Sequence, residues 1–190
     1  MKKAFTMLEL VFVIVVVGIL AAILIPRTER SPVQECAVDL LSQIRYTQHL
    51  AIIDDKYDST TTWFKNRWQL RFDGNKYTIT SDNNTKAAIN PSNNNSTFSN
   101  IDLNKKYGVT LTVTGNECGA ATGSGVHIIS FDHVGRPMAG DISAATRAYS
   151  SGASFKLVQS NDCDILISNG DENATINIAP ETGYAKITFD

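Results

Sequence analysis

Cysteine is scarce in this chain, with three among 190 residues. The count is odd, and no CxxC pair or Cys/His cluster has the spacing of a zinc site, so the motifs give no metal centre. An excess of positive charge is also missing. Lys and Arg number 17 against 19 Asp and Glu, for a net charge of -2 and a pI near 5.9. That balance excludes a typical phosphate-backbone binder, which carries a basic face, and the scattered acids form no charged tail. Catalytic signatures are absent: there is no GxSxG, no HExxH, no phosphate-cradling glycine loop and no dinucleotide fingerprint. The three histidines, His49, His127 and His133, stand in unrelated contexts and read as packing or surface groups. No catalytic residue, metal or cofactor is assigned.

What the chain does have is a long apolar run. Hydrophobic residues make up 43% of it, and many stand before Pro26. Behind Lys2 and Lys3, Leu10 to Ile25 is interrupted only by Gly18. With Phe5 to Glu9 the segment reaches about 21 residues, near the ~20 that carry a helix across ~30 Å of hydrocarbon. The two lysines would stay on the cytoplasmic side, leaving the C-terminal remainder of the chain outside. A cleaved secretory signal fits poorly, because the run is long and no A-x-A site succeeds it. Glu9 is the exception within the run, since a carboxylate at a bilayer centre costs about 2.5–3.5 kcal/mol. Pro26 would kink a helix passing through it, and Pro32 suits the first turn of another.

From Val33 to Ile53 the spacing becomes that of an amphipathic helix. Val33, Ala37, Leu40, Leu41, Ile44 and Ala51 form one stripe beside Cys36, while Glu35, Asp39, Gln43 and Arg45 lie off it. After Asp54 the period is two. Trp68–Phe72 and Tyr77–Thr80 flank Asp73-Gly74-Asn75 as a β-hairpin. The polar stretch Ser81–Asn100 reads as a mobile surface loop. Strand-like runs come next at Val109–Thr114, Val126–Phe131, Phe155–Gln159, Asp164–Ser168, Thr175–Ala179 and Tyr184–Phe189, the last two flanking Pro180-Glu181-Thr182-Gly183. The expectation is a mostly antiparallel domain of two small sheets against the helix.

Three smaller features concern modification or binding. In an oxidising compartment Cys118 and Cys163 would close a loop of roughly 45 residues, worth about 3–4 kcal/mol; the alternative is three buried free thiols. Asp162, Asp164, Asp171 and Glu172 have the chemistry to gather around Ca²⁺, although turn solvation explains them better. Asn173-Ala174-Thr175 is an N-x-T acceptor preceded by Asp171, and it looks like the extended acceptor of some bacterial N-glycosylation systems; a turn between strands is the other reading of Asn173.

Ala4-Phe5-Thr6-Met7-Leu8-Glu9-Leu10, together with Gly18-Ile19-Leu20-Ala21-Ala22-Ile23 and Ile25-Pro26, resembles the class III leader of type IV pilins and type II secretion pseudopilins. The resemblance implies cleavage by prepilin peptidase between Ala4 and Phe5 and methylation of the new amino group on Phe5. The family usually has Gly where Ala4 stands. It further implies that Glu9, fifth in the mature chain, pairs with the N-terminal amine of an adjacent subunit during assembly. Phe131-Asp132-His133-Val134-Gly135-Arg136-Pro137 resembles the F-x-x-x-G-R segment of minor pseudopilins of the GspH/FimT type. Ile176-Asn177-Ile178 with Glu181–Ile187 resembles their closing hairpin. Gly135 and Gly183 need no role beyond turns with positive φ. Some relatives bind DNA through a basic C-terminal region, but residues 171–190 here hold Lys186 as their one cation, which argues against nucleic acid.

The resemblance implies an α+β, pilin-like fold: a long N-terminal helix, half transmembrane and half amphipathic, packed on a mostly antiparallel β-domain. The divisions are 1–4 leader, 5–26 transmembrane helix kinked at Pro26, 27–54 amphipathic helix and 55–190 extracytoplasmic β-domain. It also implies a single-pass protein of the bacterial inner membrane with its N-terminus cytoplasmic. Its partners would be other pilin or pseudopilin subunits, prepilin peptidase, the inner-membrane assembly platform and membrane lipid. The role is structural, within a type II secretion pseudopilus or a type IV pilus. The alternative is a pilus-associated binding module for DNA uptake or surface adhesion through the exposed β-domain.

Overall fold

In the computed structural model of the chain, residues 6–24, 31–114, 125–140, 142–149, 155–157 and 163–190 are described. The chain divides into two compact units, one ending at Arg30 and the other running from Ser31 to Asp190.

The first unit contains one described helix, α1 (Met7–Leu24). Thr6 starts it, accepting from the Glu9 amide on its carbonyl at 3.1 Å and on its hydroxyl at 3.3 Å. Valine, leucine and isoleucine occupy all sides of α1, so it has no polar face. Its 18 residues rise about 27 Å, short of the ~30 Å of a hydrocarbon core, and Glu9 occupies its first turn. Among the described residues no helix is long and apolar enough to cross a membrane.

This finding corrects the expected architecture. The pilin-like fold with one long N-terminal helix, transmembrane over 5–26, is not what the chain forms. The described residues hold a helix over Met7–Leu24 in one unit and a helix over Pro32–Ile53 in the other, and the larger unit is β-rich. The single-pass inner-membrane placement rested on that helix and falls with it. Ala4, Phe5 and Pro26 lie outside the described residues.

The second unit begins with α2 (Pro32–Ile53). Ser31 caps it, its hydroxyl accepting from the Gln34 amide at 3.3 Å, and Pro32 takes the first-turn position where its missing N–H costs nothing. Val33, Cys36, Ala37, Leu40, Ile44, Thr47 and Ala51 are buried, three or four residues apart on one face. Thr47 keeps its hydroxyl satisfied on the Gln43 carbonyl at 2.8 Å.

The strands begin with β1 (Gln69–Asp73), β2 (Lys76–Ser81), β3 (Lys86–Ala87), β4 (Ile89–Asn90), β5 (Asn93–Thr97) and β6 (Ile101–Asp102). After the short helix α3 (Leu103–Tyr107) come β7 (Thr110–Thr114), β8 (Val126–Phe131), β9 (Pro137–Gly140), β10 (Phe155–Leu157), β11 (Cys163–Ser168), β12 (Asn173–Ile178) and β13 (Ala185–Phe189). The larger sheet has the order β10-β9-β8-β1-β2-β3, with β6 also on β2; the smaller is β13-β12-β11-β7; β4 and β5 form a ribbon. All the pairings among the described residues are antiparallel. Period-two burial sends Leu70, Phe72, Tyr77, Ile79, Ile129 and Phe131 from one sheet, and Ile165, Ile167, Ile176 and Ile178 from the other, into a core shared with α2.

The Ser81–Asn100 segment is a second correction: it is built, not loose. Asp82, Asn83 and Asn84 take φ of +51°, +55° and +70°, a left-handed backbone that Asp and Asn tolerate better than most side chains. Asn90 and Asn93 accept from the amides of Ser92 and Asn95 at 2.9 and 3.1 Å, closing turns around the ribbon. Ala88 and Phe98 are buried and pin the segment to the core.

α3 is tied to α2 through Asp39. One of its carboxylate oxygens accepts from Lys106 Nζ at 3.0 Å and from the Tyr107 hydroxyl at 2.9 Å, the other from Gln43 at 3.2 Å. Burial pushes the Asp39 carboxyl up, but these donors outweigh it and hold it below its ordinary 3.8. A depressed folded pKa contributes stability that is complete above the unfolded value and is lost as pH falls through the folded one. Asp39→Asn should therefore cost about 1 kcal/mol at pH 7, and its urea midpoint should converge with that of the unaltered chain below about pH 4. A gap that persists undiminished in acid would contradict the tie.

Candidate functional site

The helix α1 carries the feature that most needs a partner. Its apolar side chains are open: Met7 and Leu8 are each 84% exposed, Phe12 68%, and Leu10 through Leu20 contribute further exposed Val, Ile and Leu. Glu9 stands among them, and Leu8, Glu9, Val11, Phe12 and Val15 line a shallow, almost wholly apolar groove. Thr6 and Glu9 occupy the two ends of a Thr-x-x-Glu capping box, legible in the sequence but easily lost against the apolar run beside it. Among the described residues the Thr6 half of the box forms, through the Glu9 amide. The Glu9 carboxylate pairs with no side chain among the described residues. An exposed apolar surface of this extent marks an interaction site.

Among the described residues of the β-rich unit, the buried carboxylates are occupied by neighbours in the same unit. Its densest polar cluster lies at Phe131–Pro137. Asp132 is fully buried, and its carboxylate accepts from the amides of Val134 and Arg136 at 3.1 and 2.8 Å, from Arg136 Nε at 2.8 Å and from the Tyr149 hydroxyl at 3.3 Å. Arg136 is thereby spent on holding its own turn. Gly135 adopts φ +85° and Gly183 +67°. Gln48, near the C-terminal end of α2, donates to the carbonyls of Gly135 at 2.7 Å and Thr182 at 3.3 Å, so both glycine turns meet one helix end. A Cβ on Gly183 would lie 2.6 Å from the Gly135 carbonyl oxygen and 2.7 Å from Gln48 Nε2. The segment resembling F-x-x-x-G-R therefore does structural work here.

The remaining sequence candidates are dispersed. His49 is exposed on α2, His127 is half-buried in β8, and His133 is exposed in the Asp132 turn. Asp164 lies opposite Asn177, from whose Nδ2 it accepts at 2.8 Å, whereas Asp171 and Glu172 occupy the turn at the other end of the β11–β12 hairpin. Register alone keeps these acids from sharing one cation, and Asp162 lies outside the described residues. Among the described residues no three His, Cys, Asp or Glu side chains could hold a metal. Glu172 instead accepts from the Ser31 hydroxyl, and with Asn173 and Asp190 it borders a cleft of about 60 Å³ at the start of α2. Asn173 is exposed at the first position of β12. Cys163 is disulfide-bonded, Cys36 is a buried free thiol whose pKa burial pushes up to about 12, and Cys118 lies outside the described residues.

Compared with family models, with curated proteins and with solved structures, the chain matches none of them.

The paired glycines give a test of the α2 junction. Gly74→Ala, at φ +55° with open space around it, should cost about 1 kcal/mol for its left-handed backbone. Gly183→Ala adds a collision with backbone and should cost at least about 2 kcal/mol more. Equal losses in urea unfolding would contradict the junction.

Proposed function

We propose that the chain is a structural subunit of a filament, a minor pseudopilin or minor pilin, freed from its leader by prepilin peptidase and incorporated into a type II secretion pseudopilus or a type IV pilus through α1. The role is non-enzymatic and needs no cofactor. The observation that supports it is α1 itself: a helix apolar on every side, exposed from Met7 through Leu20, with one carboxylate in its first turn that has no partner among the described residues. The leader-like spacing from Ala4 to Glu9 supports the same reading.

The mechanism rests on two opposed terms. Covering an exposed Leu, Ile, Val or Phe contributes about 1.5–3 kcal/mol per side chain, so α1 gains wherever another subunit's helix covers it. Taking Glu9 out of water costs several kcal/mol unless a cation meets it. The amino group that cleavage creates on Phe5 of a neighbouring subunit is such a cation. The apolar surface thus supplies affinity, while Glu9 rejects registers that leave it unpaired. Other subunits and the assembly platform are the partners this reading requires.

Because α1 belongs to a different compact unit from the β-rich domain, Glu9→Ala should leave that domain folded. Incorporation into sheared filaments, measured by quantitative immunoblotting against total cellular protein, should fall at least about tenfold, the effect of ~1.4 kcal/mol. Incorporation at the normal level would sink the role given to Glu9.

A further inference from the structure

One face of the larger sheet holds a group of polar atoms that the fold does not satisfy. Gln69 and Ser130 are each fully buried, and Arg67 is 4% exposed. Arg67 Nη2, both polar atoms of the Gln69 carboxamide and Ser130 Oγ have no hydrogen-bond partner among the described residues. They are not scattered. Gln69 on β1 lies opposite Ser130 on β8, and Ser130 lies opposite Met138 on β9, so the three side chains form one cross-strand row. The other nitrogen of Arg67, Nη1, reaches the end of that row, lying 3.0 Å from Met138 Sδ. The guanidinium therefore lies at the Met138 end of the row that Gln69 and Ser130 begin.

The patch is closed from above. Trp63 and Tyr149 face the guanidinium with ring centroids 4.8 Å from it on each contact, and the Ala148 carbonyl accepts from Nη1 at 2.9 Å. Phe64, Ile142 and Ala145 pack with Met138 into a small apolar cluster at the same place. Each unsatisfied buried donor or acceptor destabilises the folded chain, and four together call for a guest that makes their bonds. The chemistry selects it. A carboxylate or other anion only accepts, which would leave Gln69 Oε1 unpaired. Water both donates and accepts, and a site this enclosed favours the smallest guest.

We propose that a buried water molecule bridges the Gln69 carboxamide, the Ser130 hydroxyl and Arg67 Nη2. It accepts from Arg67 Nη2 and from the Ser130 hydroxyl and donates to Gln69 Oε1. Because Arg67 also holds the Ala148 carbonyl and the Tyr149 ring, this water adds one more tie between the sheet and residues 148–149.

The test uses the full chain. Gln69→Met and Ser130→Ala each remove one arm of the bridge with little change of volume, and each should lower Tm by about 2–6 °C. The double variant should lose less than the sum, because the second substitution acts on a water already released. An unchanged or higher Tm in both single variants would overturn the proposal, since apolar replacements relieve groups that nothing satisfies. A crystal structure of the unaltered chain gives a readout independent of the variants. One spherical density peak about 3 Å from the Gln69 carboxamide and Ser130 Oγ is expected. An empty site, or a larger elongated peak, would refute it. Titration with sodium acetate should leave Tm unmoved by binding at this site, and a saturable rise that Ser130→Ala abolishes would assign the site to an anion instead.

Discussion

The β-rich unit depends on one face of α2 covering two sheets at once. Leu40 and Ile44, wholly buried near its middle, share a single core with Leu70 and Phe72 from the larger sheet and Ile165 and Ile176 from the smaller. Neither sheet can bury its apolar face on the other alone while the helix stands in that core. The polar residues flanking the stripe then fasten each neighbour in turn. Ser31 holds the β11–β12 turn through Glu172, Asp39 holds α3, Arg45 donates to the Ala185 carbonyl at 3.0 Å, and Gln48 gathers the two glycine turns.

Among the described residues of the β-rich unit, polar side chains serve the fold. Asp132, Asp39 and Asp54 each have several donors, and those donors belong to the same unit. Asp54, for example, accepts from Trp68 Nε1 at 3.0 Å and pairs with Lys56 at 2.6 Å. A carboxylate so occupied is an anchor rather than an acid or base waiting for substrate. α1 presents the opposite case, with abundant apolar surface and one carboxylate that nothing among the described residues answers.

How much of the structure was legible in the sequence varied with the strength of the local signal. Alternation made Val126–Phe131 legible as a strand, and Gly74 between Asp73 and Asn75 marked the β1–β2 hairpin, where it supplies the left-handed residue at φ +55°. The stripe from Val33 to Ala51 was visible because its apolar residues recur every three or four positions. α3 was not, since five residues are too few for a period, although Asp102 as N-cap and the left-handed Gly108 mark both of its ends. β9 begins at Pro137 and continues Met-Ala-Gly, with no β-branched residue to announce it. The asparagine-rich stretch suggested mobility because composition reports polarity, whereas its order comes from Ala88 and Phe98 contacting a core distant in sequence. At the N-terminus the apolar run was evident. The buried Arg67, Gln69 and Ser130 patch was illegible as well, because it exists only once three strands are in register.

If α1 is an assembly helix, its partners meet it only after processing at Ala4-Phe5 has created the amine that Glu9 needs. Intact-mass spectrometry of the chain recovered from cells that contain a prepilin peptidase reads that step without intermediaries. The expected species is a mature chain beginning at Phe5 with one added methyl group on its amine. A chain that retains Met1 through Ala4 in those cells would contradict the assembly role.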